Sequence, residues 1–127
     1  MSSTSDQTRL AKTFTQLRKS KSKALVSFIT VGDPTLDHTL AFLQGLVEGG
    51  VDILELGIPF SDPEAEGPSI QAANERALKG GATLKDVLDQ VKLFRKINFD
   101  TPIVLMGYLL SLIHISEPTR QAEISYA

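Results

Sequence analysis

At 127 residues, with 42% apolar and 22% charged side chains, the chain has the balance of one globular domain and too little bias for intrinsic disorder. A formal net charge of -2 gives no global attraction to nucleic acid or anionic membrane, and the lack of cysteine excludes disulfides, thiolate metal sites and a cysteine nucleophile. Met1 to Ser5 is polar, unlike a signal peptide, and no apolar run approaches the roughly 18 residues of a membrane span, so a cytoplasmic location is expected.

Leu10, Phe14 and Leu17 recur at helical spacing with Ala11 beside them, which predicts an amphipathic helix over residues 6–19. Arg18, Lys19, Lys21 and Lys23 follow without interleaved aromatics and read as a solvated end that complements the helix dipole, not as a phosphate site. Residues 24–31 read as a first strand closed by Gly32-Asp33-Pro34. Alternation places Val26, Phe28 and Thr30 on one of its faces and Leu25, Ser27 and Ile29 on the other. A helix over 36–48 carries Leu40, Leu43 and Val47 on one stripe, widened by Phe42 and Leu46, and stops at Gly49-Gly50. His38, near its start, reads as a surface residue.

The stretch from Val51 to Pro68 organises the rest. Val51, Ile53, Leu54, Leu56 and Ile58 between Gly49-Gly50 and Pro59 predict a strand, and Glu55 interrupts it. Alternation aims Glu55 to the same side as Ile53 and Gly57, opposite Leu54, Leu56 and Ile58. An unpartnered ionised group is costly to bury, so Glu55 marks either a functional site or a wet face. The acidic loop from Ser61 to Pro68 that follows can bring a second carboxylate back over the strand end.

Residues 69–79 read as a short helix ended by Gly80-Gly81. Thr83 with Asp86 forms a capping box ahead of Leu84, Val87, Leu88, Val91 and Phe94, a clean helical face. Pro102 to Met106 is a third strand, a continuous apolar run of the kind that parallel sheets bury on both faces. Strands alternating with helices imply a parallel sheet, because a parallel neighbour requires a crossover of about a dozen residues or more. A closed barrel and an open doubly wound sheet both satisfy that order; a carboxylate-bearing strand followed by a long polar loop suits the C-terminal mouth of a barrel.

The run Glu55-Leu56-Gly57-Ile58-Pro59-Phe60-Ser61-Asp62-Pro63, then Glu66-Gly67-Pro68 and Ile70-Gln71, resembles the signature of the tryptophan synthase alpha chain family. Phe28-Ile29-Thr30-Val31-Gly32-Asp33-Pro34 and Leu105-Met106-Gly107-Tyr108 resemble its first strand and loop and its third strand end; the resemblance covers residues 9–109. It implies a (β/α)8 fold and, without any cofactor, retro-aldol cleavage of indole-3-glycerol phosphate in tryptophan biosynthesis. By the same resemblance Glu55 is the general acid and base at the indole carbon and the leaving chain, and Glu66 is the second carboxylate, facing the ring nitrogen. The family usually has aspartate there, so glutamate adds a methylene and alters reach. Phe28 and Tyr108 are implied as pocket walls, Tyr108 equally as a rim residue. Pro59 and Asp62 match positions near the family's contact with its partner, the beta chain, with two alpha and two beta chains per assembly.

A (β/α)8 barrel takes about 250 residues, and this chain reaches only a third strand, so it reads as the N-terminal part of a truncated barrel, over residues 1–109. Residues 110–127 depart from the family pattern and resemble translated sequencing-adapter read-through. The family's phosphate grip comes from later loops, so the fragment is expected to be inactive alone. Two further readings stand beside this one: a non-catalytic chain that only binds the beta partner, and a divalent cation held by Asp62, Glu64 and Glu66.

Overall fold

The computed structural model describes residues 7–61 and 66–108. Element order is helix α1 (Arg9–Lys19), strand β1 (Val26–Thr30), a 3-10 turn (Leu36–His38) leading into α2 (Thr39–Glu48), β2 (Ile53–Gly57), α3 (Pro68–Lys79), α4 (Leu84–Ile97) and β3 (Ile103–Met106). The strands form a parallel sheet in the order β1-β2-β3. This is the βαβαβ arrangement that the alternation of elements demands. Each strand is shorter than its apolar run because pairing, not composition, sets its ends.

Register explains why one face of the sheet is packed throughout while on the other only the central strand and the end of β1, at Ile53, Gly57 and Thr30, are buried. Ser27 pairs with Leu54 and Leu54 with Ile103; Ile29 pairs with Leu56 and Leu56 with Leu105. Leu54 and Leu56 are fully buried in a cluster with Leu43 of α2 and Val87, Leu88, Val91 and Phe94 of α4, and Ile29, Ile103 and Leu105 pack against it. On the opposite face, Val26 aligns with Ile53, Phe28 with Glu55, and Glu55 with Val104. Here Val26 is 49% and Val104 42% exposed. On β3 Val104 is exposed and Ile103, Leu105 and Met106 are half-buried, and among the described residues nothing pairs with its outer edge, so the burial on both faces that such a run has inside a complete parallel sheet is not reached here.

The capping box forms as read: the Thr83 hydroxyl accepts from the Asp86 N–H at 3.2 Å, and Asp86 Oδ2 accepts from the Thr83 N–H at 2.9 Å. All five apolar residues of the α4 face are buried. Helix α1 starts at Arg9, later than residue 6, because the Thr8 hydroxyl caps it by accepting from the Ala11 N–H. None of its apolar residues is fully buried: Leu10 and Phe14 are exposed and Leu17 is half-buried. The helix is tied instead by Arg9, whose guanidinium lies 4.4 Å from the Phe99 ring centroid and whose Nε donates to the Phe99 carbonyl. Nearby, Arg95 Nη1 donates to the Thr101 carbonyl at 2.6 Å. Burial, and then the neighbouring Arg9 charge, lower its pKa to about 10, still well above neutrality.

Candidate active site

The candidate residues lie at the C-terminal ends of the strands and on the face turned away from α2 and α4. Glu55 sits mid-strand on β2, half-buried, between Phe28 of β1 and Val104 of β3 in register. Among the described residues no hydrogen bond or ion pair to its carboxylate is formed. The strand alternation thus settles the choice between packed and open sides for this residue: Leu54 and Leu56 point into the core and Glu55 points away from it.

Phe28 turns its ring onto Gly57, one position beyond its partner on the same face. A Cβ at residue 57 would meet Phe28 Cζ at 2.5 Å, so only glycine leaves the ring its place. Beside it, the Thr30 hydroxyl is buried and has no hydrogen-bond partner among the described residues.

Beyond β2 the chain is pinned step by step. The Ile58 N–H donates to the Met106 carbonyl at 2.8 Å, Pro59 is buried and has no N–H, and the Phe60 N–H donates to Asn74 Oδ1 at 2.7 Å. The Phe60 ring stacks on Tyr108, with centroids 5.0 Å apart and planes 19° from parallel. The Tyr108 hydroxyl in turn donates to Glu66 Oε1 at 3.4 Å, a long hydrogen bond. Glu66 directly precedes Gly67, whose φ of 84° turns the chain into Pro68 at the first position of α3.

Helix α3 also holds the loop after β1. Arg76 Nε donates to Asp33 Oδ1 at 2.6 Å and Nη2 to Oδ2 at 3.0 Å, a bidentate pair that raises the already high arginine pKa. Gly32, with φ of 94°, packs against Ala77 and Ala82, where a Cβ would lie 2.8 Å from that of Ala82.

Of the residues singled out from the sequence, Glu55 and Phe28 are register neighbours, and Glu66 and Tyr108 are hydrogen-bonded to each other. Asp62, Glu64 and residues 110–127 lie outside the described residues. Phe60 stood in the quoted motif without a role, and Asn74 was not singled out. The signal for Asn74 is an amide on the stripe of Ala73 and Ala77, where a third small apolar residue would suffice. A cleft of about 530 Å³ between α1, Arg95 and β3 is lined by neither carboxylate.

Residues 14–125 match the family model described as tryptophan synthase alpha chain. The chain belongs to the tryptophan synthase alpha chain family. The matched span runs past residue 109, where the residue-by-residue resemblance ends. Among curated relatives, the tryptophan synthase alpha chain of Alkalilimnicola ehrlichii is 55% identical over 101 residues, covering 80% of this chain and 37% of that one. The crystal structure of tryptophan synthase subunit alpha from Legionella pneumophila is 42% identical with a TM-score of 0.89, over 94% of this chain and 46% of that one. A structure of the tryptophan synthase a2b2 complex from Pyrococcus furiosus matches at 42% identity and a TM-score of 0.73, over 81% of this chain and 41% of that one. This chain thus spans less than half the length of these family members, and its three parallel strands and their helices are the corresponding part of a (β/α)8 barrel. Among the described residues no helix is long and apolar enough to cross a membrane.

Proposed function

We propose that this chain carries the two carboxylates of a lyase that cleaves indole-3-glycerol phosphate to indole and glyceraldehyde 3-phosphate. The observations that support this best are a half-buried Glu55 on the face of β2 turned away from the helix-packed core and a second carboxylate, Glu66, that accepts a hydrogen bond from Tyr108 just beyond the end of β3. The reaction breaks the bond between the indole ring carbon and the glycerol chain. A proton must arrive at that ring carbon, and another must leave the chain hydroxyl, whose carbon becomes the aldehyde. Glu55 supplies the first and receives the second, while Glu66 accepts a hydrogen bond from the ring N–H as charge develops there. Phe28 and Tyr108 wall the ring.

Such a division of labour needs no cofactor in this half-reaction. The activity is proposed for a chain of the relatives' full length; the 127 residues alone lack the later loops that would grip the phosphate, and binding energy from that remote group is what holds the reacting atoms in place. Pro59 and Asp62 are proposed to contribute to a surface that meets a beta chain, the partner in the P. furiosus a2b2 complex, and a cytoplasmic setting is proposed with it.

The test joins residues 1–108 to the remaining barrel of the L. pneumophila relative and measures indole released from indole-3-glycerol phosphate. Steady release by the chimaera is expected. A folded chimaera that releases none would overturn the assignment.

A further inference from the structure

Asn74 is 5% exposed and lies within a helix, a position where an amide is neither the best helix former nor cheaply desolvated. Both ends of the amide are used. Nδ2 donates to the Ile70 carbonyl one turn back at 2.8 Å, which fixes the side chain's orientation, and Oδ1 accepts the Phe60 N–H at 2.7 Å. The helix gains little from this arrangement, since Ala72, Ala73 and Ala77 show that a methyl group fits it. The loop gains its anchor: past Ile58, whose N–H makes the bond to β3, and past Pro59, which has none, Phe60 is the next residue with an N–H to pin.

We infer that Asn74 is a positioning residue for the proposed lyase reaction, acting through Phe60 and Tyr108 on the placement of Glu66 relative to Glu55. This rests on the function proposed above. The path is continuous: the amide of Asn74 holds the Phe60 backbone, the Phe60 ring stacks on Tyr108, and the Tyr108 hydroxyl holds Glu66. Glu66 sits on the far side of a loop from β2, so its distance from Glu55 is set by contacts of this kind and not by the sheet. Releasing Phe60 lets the ring leave Tyr108 and lets the carboxylate drift, and a displacement of about 1 Å at a reacting group costs on the order of a hundredfold.

The experiment uses the chimaera described above, four single variants and one double variant. Asn74→Ala is expected to lower kcat about tenfold or more with KM changed less than about threefold, because ground-state contacts to the substrate stay in place. Val91→Ala, in the core on α4, supplies a purely structural comparison: a lowered thermal midpoint with kcat per folded molecule unchanged. Phe60→Ala should reproduce the Asn74→Ala loss, and the double variant should be no worse than either single one. An Asn74→Ala enzyme with kcat within about twofold of the parent, or losses at the two positions that multiply independently, overturns the inference. If Asn74→Ala does not fold, Phe60→Ala decides alone: kcat within about twofold of the parent overturns it. Glu55→Gln separates this from the functional reading, since turnover that survives Glu55→Gln removes the reading itself, whereas turnover lost there but kept in Asn74→Ala removes only the positioning role.

Discussion

The Phe28 ring rests on Gly57 so closely that a methyl group at residue 57 would come within 2.5 Å of Cζ and 2.9 Å of Cε2. The two residues belong to adjacent strands and share the open face with Glu55. Gly57→Ala must therefore push the ring toward the space in which the indole is proposed to lie. Because the atoms struck are the far end of a side chain, the stability cost is expected at the low end of overpacking, about 1 kcal/mol. In a full-length chain the expected result is a raised KM for indole-3-glycerol phosphate, checked by steady-state kinetics; an unchanged KM would show that Phe28 is not part of the pocket wall.

Tyr108 has two separable parts. Its ring stacks on Phe60 and its hydroxyl reaches Glu66. Tyr108→Phe keeps the first and removes the second, so kcat is expected to fall about two- to tenfold, the worth of one hydrogen bond, with KM little changed. Equal kcat in the two enzymes would mean that the hydroxyl does not orient the carboxylate. The longer side chain of glutamate at position 66, in place of the family's usual aspartate, is what this contact bears on, and Glu66→Asp should lose the same contact by retracting one methylene.

The sheet's two edges have no pairing partner among the described residues, and Val26, Val104 and Phe99 are exposed. Unpaired strand edges beside exposed apolar residues favour association between copies. Expressed alone, the 127-residue chain is expected to form no cooperatively folded monomer, to be seen as concentration-dependent sedimentation and a broad thermal transition. A sharp two-state transition from a monomeric sample contradicts this.

At α4, both halves of the capping box are made, so removing one residue leaves the other's partner unsatisfied. Thr83→Ala in a full-length chain should cost about 1 kcal/mol in denaturant unfolding without altering kcat, and a loss below a few tenths of a kcal/mol would contradict the expectation.

What the sequence made legible was whatever repeats locally. The α4 face and its cap follow from spacing within a single element, and the side of β2 on which Glu55 stands follows from alternation alone. The strand ends did not follow, since Val51 and Ile58 are as apolar as the paired residues between them and only neighbours decide where the ladder stops. The apolar stripe of α1 was legible too, but its burial was not, because burial depends on what lies against it. Links such as Phe60 to Asn74 and Asp33 to Arg76 join residues 14 and 43 positions apart and have no period to detect. Those links place the loops, and so the part of the site most dependent on tertiary contacts was the least readable.

The placement of Glu55 is tested most directly by one substitution. Glu55→Gln in a full-length chain keeps size and shape while removing the group that gives and takes the proton. Under single-turnover conditions with indole-3-glycerol phosphate, the rate of indole formation should fall by at least about a hundredfold, with an unchanged circular dichroism spectrum and thermal midpoint. A folded variant that forms indole within about twofold of the unsubstituted rate would contradict the assignment of the chemistry to this carboxylate.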